Sequence, residues 1–373
     1  MNTMKALVAA AILSMQSVAV AQNAQKSDED LIQIAILLDA SNSMDGLIGQ
    51  AKSQLWKIVN EFALAKRGGH VPRLEVAFYE YGKSALPEEQ GYIRQIAPLS
   101  TDLDKISDEL FKLKTDGGDE YCGAVIKRAT NELSWNGSSK VVKAIFIAGN
   151  EPFTQGGVDY AKSCRAAIAK GIVINTIFCG PYREGVDSKW KDGADRADGS
   201  FMSIDQDQTV VEIQAPQDSA ITALGQQLNS TYISYGNDGR KRKEMQKLQD
   251  MNARAMASAA SVERSLAKAS KSYQNASWDL VDAKKEKKLE IAKLDEEALP
   301  QEMKGMRPEE REAYVEKKSA ERANLQAQIS KLNDERRKYV AEKQKSQSAD
   351  NTLDKAIISA VRSQATKKGY KFE

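Results

Sequence analysis

Residues 31–39 read LIQIAILLD, an apolar run interrupted only by Gln33 and stopped by Asp39. A stretch this short and this continuously apolar lacks the alternation of a half-solvated strand. It predicts a strand buried on both faces, which demands helices above and below its sheet. The strands expected are Gln33–Asp39, Arg73–Tyr81, Tyr92–Pro98, Val141–Ala148, Ile172–Cys179 and Ser200–Ile204. Amphipathic stretches lie between them. Leu47–Lys66 carries Leu47, Ala51, Leu55, Ile58 and Phe62 at helical spacing, and Asp102–Leu113, Cys122–Leu133, Val158–Lys170 and Asp218–Leu228 behave alike. Strand–helix alternation predicts an α/β class, a doubly wound and mostly parallel sheet flanked by helices. Such sheets bind ligands at the carboxyl ends of their strands, where Asp39 stands.

The texture changes at Asp238. DGRKRKEMQKLQD opens a segment rich in Lys, Glu, Ala and Gln whose only prolines are Pro300 and Pro308. Small or apolar residues recur at Ala255, Ala259, Val262, Leu266, Ala269, Tyr273, Ala276 and Leu280, a heptad-like seam. Pro300, Gly305 and Pro308 break it, since proline inside a helix costs ~3 kcal/mol. Arg307-Pro308-Glu309-Glu310 reads as a new helix start, and a second seam runs through Tyr314, Leu325, Ile329, Leu332, Tyr339 and Val340. The expectation is a helical coiled-coil hairpin over 238–349, its charges on solvated faces. A short helix, Thr352–Gln364, and a basic tail would occupy 350–373.

Residues 1–21 have the form of a signal peptide: Lys5, an apolar stretch from Ala6 to Met15, and Ala19-Val20-Ala21 before Gln22. The run is too short to span a bilayer, which takes ~20 apolar residues. The chain is therefore expected to be exported, periplasmic or secreted, without membrane contact after cleavage. Cys122, Cys164 and Cys179 allow one disulfide and an odd thiol, or three small buried side chains. The 54 basic and 52 acidic residues leave a net charge of +2, which gives no case for nucleic-acid binding.

The chemistry concentrates at residues 39–43. Asp39, Ser41 and Ser43 form D-x-S-x-S, whose alternation lets one carboxylate and two hydroxyls converge from a single loop. Such hard oxygens suit a divalent cation, and Mg²⁺ in particular keeps several waters beside its protein ligands. The bland alternative is a loop that caps the next helix.

This loop resembles the metal-ion-dependent adhesion site of von Willebrand factor A (VWA) domains, a Rossmann-like family. The resemblance covers about residues 31–235 and implies a VWA domain over 27–236. By that resemblance Thr115, in KLKTDGGDEYCGAV, is the second-loop threonine, and the metal set is Asp39, Ser41, Ser43 and Thr115. The family's usual strand end T-D-G-E-P departs here to FIAGNEPF, with Gly149 at the aspartate position and Asn150 and Glu151 following. Asp116, Asp119, Glu120, Asn150 and Glu151 are the further residues expected around the site. The implied cofactor is Mg²⁺, with Mn²⁺ or Ca²⁺ as alternatives, and the implied partner is a protein whose acidic side chain completes the coordination. Self-association through the C-terminal helices is a further expectation.

An enzyme is not expected. His70 is the only histidine and sits in the polar turn KRGGHVPR, so a Ser-His-Asp arrangement would have to use this loop residue and is not expected. No G-x-x-x-x-G-K-[ST] phosphate loop or C-x-x-C zinc spacing occurs. The reading is a non-catalytic binding protein, with an envelope scaffold acting through its helices as the alternative and a metal-dependent hydrolase as the third.

Overall fold

A computed structural model describes residues 30–207, 212–344 and 352–372. The signal-peptide reading at 1–21 and residues 345–351 of the expected hairpin and tail lie outside the described residues.

Six strands form one sheet: β1 (Leu31–Asp39), β2 (Arg73–Tyr81), β3 (Ile93–Ser100), β4 (Val142–Gly149), β5 (Val173–Cys179) and β6 (Phe201–Ile204). Their order is β3-β2-β1-β4-β5-β6. All neighbours are parallel except β2 and β3. The order reverses between β1 and β4, which makes the crevice at their carboxyl ends a topological switch point.

Burial follows the period-two geometry of a strand. Ile32, Ile34 and Leu38 of β1 join one core, and Ala35 and Leu37 join the other. The first core is covered by α1 (Asp45–Ala63) and α2 (Leu103–Lys112), through Leu55, Val59, Ile106 and Leu110. The second is covered by α3 (Cys122–Glu132) and α4 (Tyr160–Ala169), through Val125, Ile126, Ala129 and Ala167. The polar connection after β5 is more ordered than its sequence suggests. It folds as α5 (Tyr182–Asp187) and α6 (Trp190–Asp195), because Trp190 is fully buried against Phe153 at 4.9 Å between ring centroids.

The C-terminal half departs from the expected hairpin. After α7 (Asp218–Leu228) come α8 (Gly239–Met256) and α9 (Ser258–Ala269), separated by Ala257 in an extended conformation. Only α10 (Leu280–Lys285) and short 3-10 turns follow before α11 (Pro308–Gln344), which is 37 residues long. Pro308 opens α11, and Glu310 Oε2 accepts from the Arg307 backbone N–H at 2.8 Å. So the long second arm exists, and the first does not. Its seam is shared between the sheet domain and the long arm: Val262 and Leu266 of α9 pack with Ile221 of α7 and with Ile329 of α11. Gly225 permits this closeness, since a Cβ there would lie 2.3 Å from Ser265 Oγ.

Nor are the charges all on solvated faces. Arg264 of α9 is 1% exposed, paired with Asp104 at 2.7 Å and Asp250 at 2.8 Å, with its guanidinium 4.3 Å from the Trp56 ring centroid. Arg322 of α11 places all five N–H groups on Thr231, Asp279 and Asp282, and stacks 4.0 Å over Tyr232. Paired, hydrogen-bonded burial of this kind is how a charge is tolerated in a core. The last helix, α12 (Leu353–Lys367), returns to the sheet and buries Leu353, Ile357 and Val361 in the first core. Lys371–Phe372 then pairs antiparallel with Ala65–Lys66. The boundary expected near 237 is therefore not a boundary of the hydrophobic core, which includes Ala253, Ala260, Leu325 and Ile357 alongside the sheet. The three cysteines are free and buried.

Candidate functional site

Strand β1 delivers Asp39 to the switch point with its side chain completely buried. Asp39 Oδ1 accepts from the Ser41 backbone N–H at 2.8 Å, which folds the loop back on itself. Ser41 Oγ then lies 3.1 Å from Ser43 Oγ. From across the crevice, Asn150 Nδ2 donates to Ser43 Oγ at 3.2 Å. Gln206, just past β6, donates to the Ser43 carbonyl at 2.8 Å. The three D-x-S-x-S residues and Asn150 are thus brought together from the ends of β1 and β4.

The second loop is pinned to the first by the Asp116 N–H, which donates to the Ala40 carbonyl at 2.9 Å. Thr115 Oγ1 donates to Asp45 Oδ1 at the start of α1. Of the acids in this loop, Asp119 is exposed and accepts from Tyr121 Oη at 3.0 Å, Asp116 is half-buried, and Glu120 is buried. Glu151 adds its charge to the crevice, and its carbonyl is held by Trp190 Nε1 at 2.8 Å. That clamp was not legible in sequence, because Trp190 lies about forty positions away in what reads as a polar loop. Nor was Asp45 as the partner of Thr115, since it looks like an ordinary first-turn acid.

Electrostatics single out two carboxyls. Burial pushes Asp39 up to about 7, with the Glu151 charge adding to the rise and hydrogen bonds from Ser41 opposing it. Burial also pushes Glu120 up to about 8, helped by the charge of Asp39. Asp39 Oδ2 is buried and makes no hydrogen bond of normal geometry, with the Asn150 backbone N–H facing the carboxyl and favouring its charged form. A carboxylate oxygen so weakly satisfied is costly in a core, and a cation would relieve it. The departure at Gly149 also has a structural counterpart. A Cβ there would lie 2.7 Å from Tyr81 Oη and 3.0 Å from Asp39 Oδ2. Tyr81, fully buried and donating to the Ala148 carbonyl at 3.0 Å, occupies the room that a strand-end side chain would need.

Among the described residues, no three His, Cys, Asp or Glu side chains form a metal-holding group. The donor set is instead one carboxylate with hydroxyls and an amide, hard oxygen chemistry that suits Mg²⁺ with retained waters. His70 is exposed in its turn, away from this chemistry. No helix of the described residues is long and apolar enough to cross a membrane.

No family model and no curated protein matches the chain. Several solved structures are similar to part of it. A conserved hypothetical protein BatB from Bacteroides thetaiotaomicron is 18% identical over 47% of this chain and 90% of its own, with a TM-score of 0.36. The SpRpn10 VWA domain is 15% identical over 47% and 88%, with a TM-score of 0.36. A von Willebrand factor type A protein from Catenulispora acidiphila is 16% identical over 47% and 38%, with a TM-score of 0.34. The strand order, the antiparallel edge strand β3 and the D-x-S-x-S loop closing β1 agree with the doubly wound, VWA-type arrangement that the resemblance implies.

Proposed function

We propose that the chain is an exported, non-catalytic binding protein whose crevice at the ends of β1 and β4 holds a divalent cation and presents it to a protein partner. The observation that carries the reading is Asp39 Oδ2, buried and without a hydrogen bond of normal geometry at the switch point of the sheet. Asp39, Ser41 and Ser43 would hold the metal, with Thr115 and Asn150 supporting it from the neighbouring loops. The bound ion supplies a Lewis-acidic position that an acidic side chain of the partner can fill. Export rests on residues 1–21 and is tested by N-terminal sequencing of the protein from a culture fraction. Mg²⁺ is the favoured ion, with Mn²⁺ and Ca²⁺ as alternatives.

Isothermal titration of Mg²⁺ and Mn²⁺ into the full chain tests the reading, with Asp39→Asn and Ser43→Ala in parallel. Heat is expected in the parent and not in Asp39→Asn. Equal heats in both would end the metal proposal. The scaffold alternative is favoured by a separate observation: Thr115 is engaged with Asp45, and Gly149 leaves no strand-end carboxylate. It predicts no heat with any divalent ion, and partner binding that chelator leaves unchanged.

A further inference from the structure

Few large apolar side chains are exposed among the described residues, and α8 carries three of them. Leu248 is 44% exposed, Met251 64% and Met256 39%. Leu248 and Met251 share the outward face of the helix with Arg240, Lys241, Lys247 and Arg254, while Met256 lies at its flank in the last turn; Glu244, the exposed acid there, pairs with Lys247 at 2.8 Å. The inward face is fully engaged. Gln249 bonds Ser107 and Asp108 of α2, and Asp250 pairs with Arg264 and Lys268 of α9. Leu248 and Met251 therefore add nothing to the core that holds α8 in place. Beside them, between α7, α8 and α9, opens a cleft of about 170 Å³ walled by Lys247, Met251 and Arg254. That space suits a side chain rather than a whole ligand.

We propose that the outer face of α8, together with this cleft, is a docking surface for an acidic amphipathic helix of a partner protein. Its apolar positions would cover Leu248 and Met251, and its carboxylates would meet Arg254 and take Lys247 from its exposed partner Glu244. Met and Arg are enriched where proteins meet, and Leu248 and Met251 stand at the i, i+3 spacing that helix-in-groove recognition reads. A second copy is the poorer occupant, because a two-fold contact would set this basic face against itself. A lipid surface would leave the cleft unfilled. The surface belongs to α8 and is independent of the metal crevice.

The test uses the full chain and a fluorescent amphipathic peptide of about 18 residues, long enough to form a helix on binding, with Leu on one face and Glu beside it. A second peptide carries Lys for every Glu. Anisotropy is expected to report binding of the acidic peptide only. Lys247→Glu with Arg254→Glu is expected to weaken it about tenfold or more, the loss of one to two charge-assisted contacts. Leu248→Ser with Met251→Ser is expected to do the same, and both exposed pairs should keep the parent melting temperature. Equal binding of the two peptides, no binding of the acidic one, or no loss in the variants would each overturn the proposal. So would sedimentation with phosphatidylglycerol vesicles that the same variants abolish while the peptide fails to bind.

Discussion

Replacing Asp39 by asparagine isolates the cost of holding a charge at the end of β1. The side chain is fully buried, and in metal-free protein its carboxyl rises from 3.8 to about 7. At ~1.36 kcal/mol for each tenfold change in proton affinity, holding the charge there costs ~4 kcal/mol. It is an upper bound, because water entering the crevice would screen the charge. A raised carboxyl pKa means that the folded state holds its proton more tightly than the unfolded chain. The stability it confers is present below the unfolded value and is lost as pH climbs toward 7. Asparagine keeps the size and an oxygen for the Ser41 N–H bonded at 2.8 Å, but does not titrate. With chelator present, the two proteins should match at about pH 4, and at about pH 8 the variant should be the more stable by up to ~4 kcal/mol. Urea unfolding followed by tryptophan fluorescence at both pH values measures this. Mg²⁺ at a hundredfold excess over its Kd should then restore ~2.7 kcal/mol to the parent at the higher pH and nothing to the variant. A stability difference that does not change with pH, or a variant weaker than its parent at the higher pH, would refute the reasoning.

Other changes probe the fold around the site. Gly149→Asp, which installs the strand-end acid that the VWA resemblance implies, should destabilise by ~1–3 kcal/mol through overpacking rather than strengthen metal binding. Its Cβ would press on Tyr81 Oη and Asp39 Oδ2, and a chemical melt with a parallel Mg²⁺ titration checks both parts. Arg322→Met leaves Asp279 buried without its partner and should cost ~3–5 kcal/mol in urea unfolding. Truncation after residue 236 should give an aggregating or molten chain instead of a folded domain, because it strips α8, α9 and α12 from the shared core. A sharp thermal transition with dispersed amide resonances would overturn that.

Much of the sheet was readable because its signal is local. A strand buried on both faces must be apolar at nearly every position, so LIQIAILLD and its counterparts declare themselves. The D-x-S-x-S loop is equally local, with Asp39 and Ser41 bonded two residues apart. The hairpin expectation failed for the opposite reason. A seam of small residues says that a helix needs a neighbour, but not which one. Val262 and Leu266 chose α7 and α11, and two cations that read as solvent-facing became buried ties between the halves, Arg264 to Asp104 and Arg322 to Thr231.

The sequence by itself thus determined the strand–helix alternation, the parallel sheet and the oxygen-bearing loop at the mouth of β1, since each follows from residues within a few positions of one another. Only the tertiary structure decided that Glu120 and not Asp119 turns inward, that Tyr81 fills the space beside Gly149, and that the C-terminal helices close the core. Those outcomes depend on burial and on partners far apart in the chain: Tyr81 stands against Ala148, Thr231 against Arg322, and Ile357 against the sheet. Desolvation and close packing act between surfaces that exist only once the chain has folded.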